Sequence, residues 1–464
     1  MKFYIQTFGC QMNEYDSLRL EELLISQGHI KSDTYIDADL VILNTCSIRE
    51  KATHKVYSML GKINLEKQKM KKSEKYMVIA VMGCVVEVEG ADKMFIKAPY
   101  IDIVLGPQSH KFLMPYVKSV LSSVEKIKNN IVATKTHFFH LDLDANNKFE
   151  FLAEERQDFN GVSAYITIQE GCNKFCTYCV VPNTRGRELA RKPDDILNEA
   201  RSLVKMGVRE IVLLGQNVSS YKYVSKDNGN EITWRLVDLI KEIAKIPEIV
   251  RIRYITSHPI DITDELIELH KNEKKLMPYL HLPVQSGSNV VLKKMNRKYT
   301  AEFYLDIIDK YRKAVPNIVF SSDFIVGFPS ESDEDFNDTL KLVEKVNYKA
   351  QCFSFKYSPR PNTVASLSKE QIPDDIASKR LDVLQDLLEK QRMHFAKEML
   401  NKIVNVLFDN MNMEEPLQIC GRDEYMHLVI VNCKNDDEKK HLFKQLLPVK
   451  IIKVEANVLI GELV

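Results

Sequence analysis

The sequence predicts an α/β protein in three parts: an N-terminal open parallel α/β sheet, a central partial (β/α)6 barrel and a small C-terminal antiparallel β-barrel. Three observations carry that prediction. Short apolar runs alternate with helix-like stretches over most of the chain, as in parallel sheets covered on both faces. The central units are too few for a closed eight-unit barrel, which takes about 250 residues. Past the helix-like stretch LDVLQDLLEKQRMHFAKEML the pattern changes to apolar–polar alternation at strand period. A chain of 464 residues also exceeds one core, since single cores stop growing near ~250–300 residues. The expected divisions are 1–120, a polar linker over 121–157, the partial barrel over 158–392 and the terminal barrel over 393–464.

The N-terminal part repeats one unit three times, an apolar strand, a cysteine and then a helix-like stretch, giving Cys10, Cys46 and Cys84. Runs such as Leu40–Leu43 and Met77–Val81 read as buried parallel strands. Ligands of open α/β sheets sit beyond the carboxyl ends of the strands, so three cysteines at three such ends are expected to converge there. Any one of them alone reads as a buried apolar cysteine. The stretch LDLDANNKFEFLAEERQDFNG is rich in turn-forming and polar residues and reads as the linker.

Six strand candidates follow: VSAYITIQ, REIVLLG, VRIRYITS, MPYLHLPV, IVFSSDFIVG and AQCFSFKYS. Helix-like stretches such as PDDILNEARSLVKMG and FYLDIIDKYRKAV separate most of them. The terminal strands are KIVNVLFDN, PLQICGRD, YMHLVIVNC and VKIIKVEANVLIGELV.

Composition narrows the function. Hydrophobic residues make up 45% and charged residues 28%, which excludes a disordered or collagen-like chain. The 65 Lys and Arg nearly cancel the 64 Asp and Glu, so nucleic-acid binding would have to come from local patches. No signal-peptide pattern and no run of ~18 apolar residues is present, so a cytoplasmic protein with no membrane association is expected. In a reducing compartment nine cysteines point to metal or catalysis rather than disulfides.

Cys172, Cys176 and Cys179 have the spacing C-x-x-x-C-x-x-C. Soft thiolates select zinc, copper(I) or iron–sulfur clusters. A structural zinc site takes four ligands, and no second pair follows at finger spacing, although a zinc knuckle with a distant fourth ligand stays open. Three cysteines can instead hold three irons of a cubic four-iron cluster and leave the fourth iron open. Cys352, Cys420 and Cys433 lie in strand-like apolar runs and read as core residues.

GCNKFCTYCVVP resembles the cluster loop of radical S-adenosylmethionine (SAM) enzymes. TFGCQMNEYDS, NTCSIREKA, GCNKFCTYCVVPNTRGRE, LLGQNVSSY, TSHP, HLPVQSGS, MNRKYT and DFIVGFPSES follow in the order of the methylthiotransferase family, over nearly the whole chain. FGCQMN resembles the branch acting on isopentenyl-adenosine in tRNA. The ribosomal-protein branch tends to read LGCPKN there, and the threonylcarbamoyl-adenosine branch LGCKVN. Asn183 stands where that first branch usually has Tyr, and GCVVE departs from its usual small residue after the cysteine.

The resemblance implies two four-iron four-sulfur clusters, one on Cys172, Cys176 and Cys179 and one on Cys10, Cys46 and Cys84. The amine and carboxylate of SAM would chelate the open iron of the first, and an electron would cleave SAM to a 5′-deoxyadenosyl radical. The second would hold the sulfur to be transferred. Gly215, Gln216 and Asn217 match the segment that contacts the SAM amino group; Ser257, Gln285 and Asp323 are further candidates at strand ends. A bland reading of these is turn formation and helix capping. Arg185 and Arg187 would meet tRNA phosphate, whereas Arg191, Lys192, Lys293, Lys294, Arg297, Lys298 and the stretch KQKMKKSEK read first as solvated charge. The terminal barrel looks like a TRAM domain that grips tRNA. Expected partners are tRNA, a reducing electron donor and a sulfur or cluster donor, with the chain read as a monomer. A methylthiotransferase acting on threonylcarbamoyl-adenosine tRNA or a ribosomal protein is the runner-up, and a non-catalytic RNA-binding protein with structural metal is the alternative of another class.

Overall fold

The computed structural model describes all residues except 47–49, 130–136, 153–155, 157–158, 228–229, 412–413 and 456–457. At the N-terminus, strands Lys2–Phe8, Leu40–Thr45, Val78–Gly83 and Ile103–Leu105 lie side by side and parallel, with Ile30–Lys31 on one edge and Phe138–His140 on the other. Leu40–Thr45 and Val78–Gly83 are buried at every position, because helices cover both faces. Ile42 and Ala80 enter one core, Val41 and Leu43 the other. That two-sided burial is why these strands read as continuous apolar runs.

The described elements of the stretch expected to be a linker belong to this domain. Helix Leu113–Lys128 runs through position 120, Phe138–His140 adds a strand beside Ile103–Leu105, and helix Ala145–Leu152 sends Phe151 and Leu152 into the core. Its polar composition misleads because Lys148 is itself buried, held by carboxylates from elsewhere in the chain.

The central strands are Ser163–Thr167, Glu210–Leu214, Arg251–Tyr254, Tyr279–His281, Val319–Ser321 with Asp323–Val326, and Phe353–Lys356. Parallel pairing joins the first three, and the bridges Ile252↔Leu276 and Gln285↔Phe324 carry the sheet onward. No pairing joins Phe353–Lys356 to Ser163–Thr167 among the described residues, so the barrel is partial as predicted. IVFSSDFIVG forms two strands rather than one. At the break the Ser322 hydroxyl donates to Leu282 O (3.0 Å) and accepts from Val284 N (2.9 Å), and pairing passes from Tyr279–His281 to Phe353–Lys356. The hairpin Lys222–Asp227 with Asn230–Arg235 had no counterpart in the sequence reading. Helix Asp333–Val346 begins where SESDED allows a capping box, Ser332 accepting from Asp335 N and the Asp335 carboxylate accepting from Ser332 N.

Helix Asp374–Glu398 runs through the boundary expected at 392 and leads into a closed five-stranded barrel. Its pairs are antiparallel except Leu428–Asn432 with Val458–Leu463, which are parallel. The helix Asp436–Leu442, absent from the sequence reading and capped by Asn435, lies on the return path between them. This barrel is latched to the central one. Arg251 donates to the carbonyls of Asn405 (2.6 Å) and Arg422 (2.6 Å), and Arg253 to those of Asp423 (3.0 Å) and Glu424 (3.0 Å). Among the described residues no helix is long and apolar enough to cross a membrane.

Candidate functional site: two cysteine triads across a domain interface

Register brings the first triad together. Phe8 lies opposite Thr45 and Thr45 opposite Gly83, so the loops bearing Cys10, Cys46 and Cys84 leave the sheet at one level. Asn13 and Asn44 tie the strand ends: Asn13 Nδ2 donates to Asn44 Oδ1 (2.8 Å) and Thr45 O (3.2 Å), and Cys10 Sγ donates to Asn13 Oδ1 (3.2 Å). Gly83 has φ +101°, and a Cβ there would lie 2.2 Å from Thr45 O, so glycine is required for strands this close.

Arg185 reaches this triad from the other domain. Its Nε donates to Cys84 Sγ (3.3 Å), and its Nη1 donates to Glu170 Oε2 (3.0 Å). Lys148 pairs with Glu170 and with Asp16 Oδ1 (2.7 Å), while Gln108 Nε2 donates to Glu170 Oε2 and Arg185 O, each at 3.2 Å. The Cys10 thiol is drawn down to about 6, chiefly by its hydrogen bond with Cys46; burial opposes, and the Arg185 charge assists. Burial pushes the Cys84 thiol up, with Arg185 pulling against it. Arg185, expected at tRNA phosphate, is only 3% exposed and engaged inside this interface. The reason is its place beside Glu170, an anion buried by the opposing domain. Arg187 stays exposed, its guanidinium 4.6 Å from the ring centroid of the exposed Phe175.

The second triad lies on a loop stapled from several sides. Gly171 (φ +73°) lets the backbone pass Arg187 O, which a Cβ would approach to 2.0 Å. Thr177 N donates to Met295 O (3.1 Å), Asn296 Nδ2 to Phe175 O (2.9 Å) and Ala365 N to Thr177 O (2.9 Å). Lys174 Nζ binds Asp261 Oδ1 (2.7 Å). Arg297, read first as solvated charge, is buried, and its Nη1 donates to Cys176 Sγ (3.5 Å). MNRKYT thus holds the cysteine loop, while Lys293, Lys294 and Lys298 remain exposed. Arg191 is also buried, paired with Glu199 (2.5 Å). Asn183 is exposed and donates to Asn362 O (3.1 Å).

Burial pushes Cys172 up to about 11, and burial with the neighbouring Cys176 pushes Cys179 up to about 12. Crowded thiols that the protein does not ionise fit a cationic group that does. Among the described residues no three or more Cys, His, Asp or Glu could hold a single metal ion. Three soft thiolates on one loop are a donor set that fits an iron–sulfur cluster.

Around the ends of the strands Glu210–Leu214 and Arg251–Tyr254 lies a patch of buried polar groups. Ser257 Oγ, Gln216 Oε1, Gln169 Oε1 and His258 Nε2 are buried without a hydrogen-bond partner among the described residues. Buried polar atoms need partners, so these fit a polar ligand such as SAM. Asn217 is engaged already, donating to Asp261 Oδ2 (2.7 Å) and accepting from His258 N (3.0 Å), which links the polar patch through Asp261 to Lys174. Gly215 packs against Gln169, leaving an added Cβ 3.3 Å from it. Gln285 (φ +75°) and Asp323 pair through the backbone, Gln285 N to Asp323 O at 2.9 Å, and Asp323 faces His281 at 3.5 Å. Arg297 Nη2, donating to Pro283 O (2.7 Å), connects that strand end to Cys176. Sequence reading missed Gln169, Glu170 and Glu188, although QEGC and RGRE flank the triad. Cys352, Cys420 and Cys433 are buried in the core as expected.

The two triads share one seam. The helix Cys84–Glu89 packs against the helix Val181–Thr184 that follows Cys179.

Comparison with known proteins agrees with this architecture. Residues 166–343 match the Radical SAM superfamily, and residues 2–106 match the uncharacterized protein family UPF0004. The chain is 46% identical over 463 residues to the tRNA-2-methylthio-N(6)-dimethylallyladenosine synthase of Rickettsia canadensis (strain McKiel), covering 100% of this chain and 99% of that one. It is 46% identical over 461 residues to the protein of the same name from Rickettsia akari (strain Hartford), covering 99% of each. In fold it is similar to the radical S-adenosylmethionine methyltransferase TsrM from Kitasatospora setae, with TM-score 0.53 and 12% identity over 79% of this chain and 77% of that one. Full-length identity at this level decides the matter: the chain belongs to the tRNA-2-methylthio-N(6)-dimethylallyladenosine synthase family, within the radical SAM superfamily.

Proposed function

We propose that the chain replaces the hydrogen at carbon 2 of N6-isopentenyl (dimethylallyl) adenine, beside the tRNA anticodon, with a methylthio group. The observation that carries this is the pair of cysteine triads set across one interdomain seam, in a chain with full-length relatives of that name. Cys172, Cys176 and Cys179 would hold one four-iron cluster, and Cys10, Cys46 and Cys84 a second. With SAM bound beside Cys172, Cys176 and Cys179, the chemistry supplied would be one-electron cleavage of SAM, giving a radical able to take hydrogen from the adenine.

The chain's own residues do the positioning. Lys174, Asp261 and Asn217 link the triad loop to the polar patch, where Gln216 and Ser257 would offer their unpaired oxygens to the ligand's amine. Arg251 and Arg253 fix the terminal barrel, so that an RNA held there meets the seam in one orientation. Arg187 over Phe175, with Lys293, Lys294 and Lys298 exposed, forms the rim on which phosphates and splayed bases would rest. A one-electron donor, a sulfur or cluster donor and a cytoplasmic location go with this reading.

The test is mass spectrometry of tRNA nucleosides after incubating anaerobically reconstituted protein with isopentenylated tRNA, SAM and a strong reductant. A methylthio-isopentenyl-adenosine product establishes reaction and substrate together. Accumulation of 5′-deoxyadenosine without that product would leave the radical chemistry standing and refute the substrate.

A further inference from the structure

Arg185 has a donor to spare. Its Nε donates to Cys84 Sγ (3.3 Å) and its Nη1 to Glu170 Oε2 (3.0 Å), but its buried Nη2 has no hydrogen-bond partner among the described residues. Asp16 Oδ2 lies 3.8 Å from Nη2, too far for a hydrogen bond. In a planar guanidinium the Nε hydrogen and one Nη2 hydrogen share an edge and point the same way. With Nε on the Cys84 sulfur, that edge faces the N-terminal triad. An unpaired N–H in a site this closed is costly unless an acceptor meets it.

Arg297, at the other triad, differs. Its Nε donates to Tyr299 Oη (2.9 Å), its Nη1 to Cys176 Sγ (3.5 Å) and its Nη2 to Pro283 O (2.7 Å). Every nitrogen is used there, and the unpaired atoms near that site belong to Gln169, Gln216, Ser257 and His258 instead.

We infer that Arg185 is a cluster-binding residue of the N-terminal site, gripping two sulfurs with one edge: Nε holds the Cys84 thiolate and Nη2 donates to an inorganic sulfide of the bound cluster. Glu170 holds the opposite side of the guanidinium and is itself fixed by Lys148 and Gln108, so the fork is preorganised before the cluster arrives. Because Arg185 comes from the barrel domain and Cys84 from the N-terminal domain, the same contact sets the cluster relative to the radical site. The inference rests on the reading of a second cluster given above.

Reduction adds negative charge to a cluster, and N–H donors at its sulfurs stabilise that charge and raise the potential. The test uses full-length chain in which Cys172, Cys176 and Cys179 are all alanine, so that one cluster remains, and follows its EPR signal through a redox titration. Arg185→Gln moves the midpoint to more negative potential. If Arg185→Gln also lowers iron content, Arg185→Lys decides, since it keeps the charge and loses the fork: a negative shift supports the inference, and an unmoved midpoint overturns it. Full iron with an unmoved midpoint in Arg185→Gln overturns it as well. Absence of iron before Arg185 is changed refutes the second cluster and this inference together.

Discussion

Replacing Gly83 with alanine adds a single methyl group at the point where strand register delivers two cysteines to one site. The residue has φ +101° and ψ −166°, a region open essentially to glycine, and a side chain there costs about 1–3 kcal/mol in backbone strain alone. The new Cβ would also lie 2.2 Å from Thr45 O and 2.9 Å from Asn44 Oδ1. Neither atom can yield cheaply, because Thr45 and Asn44 occupy the central strand and Asn44 is bonded to Asn13 and Ser17. Relief therefore comes by parting Leu40–Thr45 from Val78–Gly83 at the Thr45↔Gly83 pair, which separates Cys46 from Cys84. The expected outcome is a folded chain whose iron content after anaerobic reconstitution falls by about half, the share of one cluster of two. Formation of 5′-deoxyadenosine continues while the methylthio product is lost. Gly61→Ala is the matched control: Gly61 lies in the helix Glu50–Lys72 with nothing within 4 Å of the added methyl, so stability rises by about 0.5–1 kcal/mol and iron is unchanged. Full iron and full product in Gly83→Ala would refute the link between strand register and cluster assembly.

Replacement of Cys176 by alanine abolishes cleavage of SAM, whereas replacement of Cys46 spares it and stops sulfur insertion; methylthio product from the Cys46 variant would sink the two-cluster reading. Arg253→Met removes the ion pair to Glu210 (2.5 Å) and two hydrogen bonds to the terminal barrel, leaving a buried carboxylate. Destabilisation of about 3–5 kcal/mol follows, relieved when Glu210→Gln is added, as a double-mutant cycle by urea unfolding can check. Burial pushes His270 down to about 3 while its Nε2 meets the Tyr254 hydroxyl at 2.8 Å. The unfolded chain, with its histidine near 6.5, binds the extra proton between those values, so stability is full above pH ~6.5 and falls by about 1.4 kcal/mol per pH unit below it. In His270→Gln the pH 6.5–4.5 slope of unfolding free energy is shallower by that amount, and an equal slope in both chains contradicts the assignment.

What the sequence determined by itself is what short-range pattern encodes. Apolar runs bounded by turns marked the strands; the spacing of Cys172, Cys176 and Cys179 marked a loop with three soft ligands; strand–cysteine repeats marked Cys10, Cys46 and Cys84. Motifs in unbroken order marked the family. Only the tertiary structure decided which charges are solvent-facing and which are internal. Arg185 and Arg297 look like any basic residue beside a loop, and their burial depends on Cys84 and Gln108 at the first and Cys176 at the second, which arrive from distant segments. The fate of 121–157 was hidden for the same reason, since Lys148 lowers the apolar signal of a helix that belongs to the core. The break at Ser322 and the parallel pair in the terminal barrel were equally hidden. Hydrophobic periodicity is a property of neighbours along the chain, whereas ion pairing and strand partnership are set by where folding places groups that the chain keeps far apart.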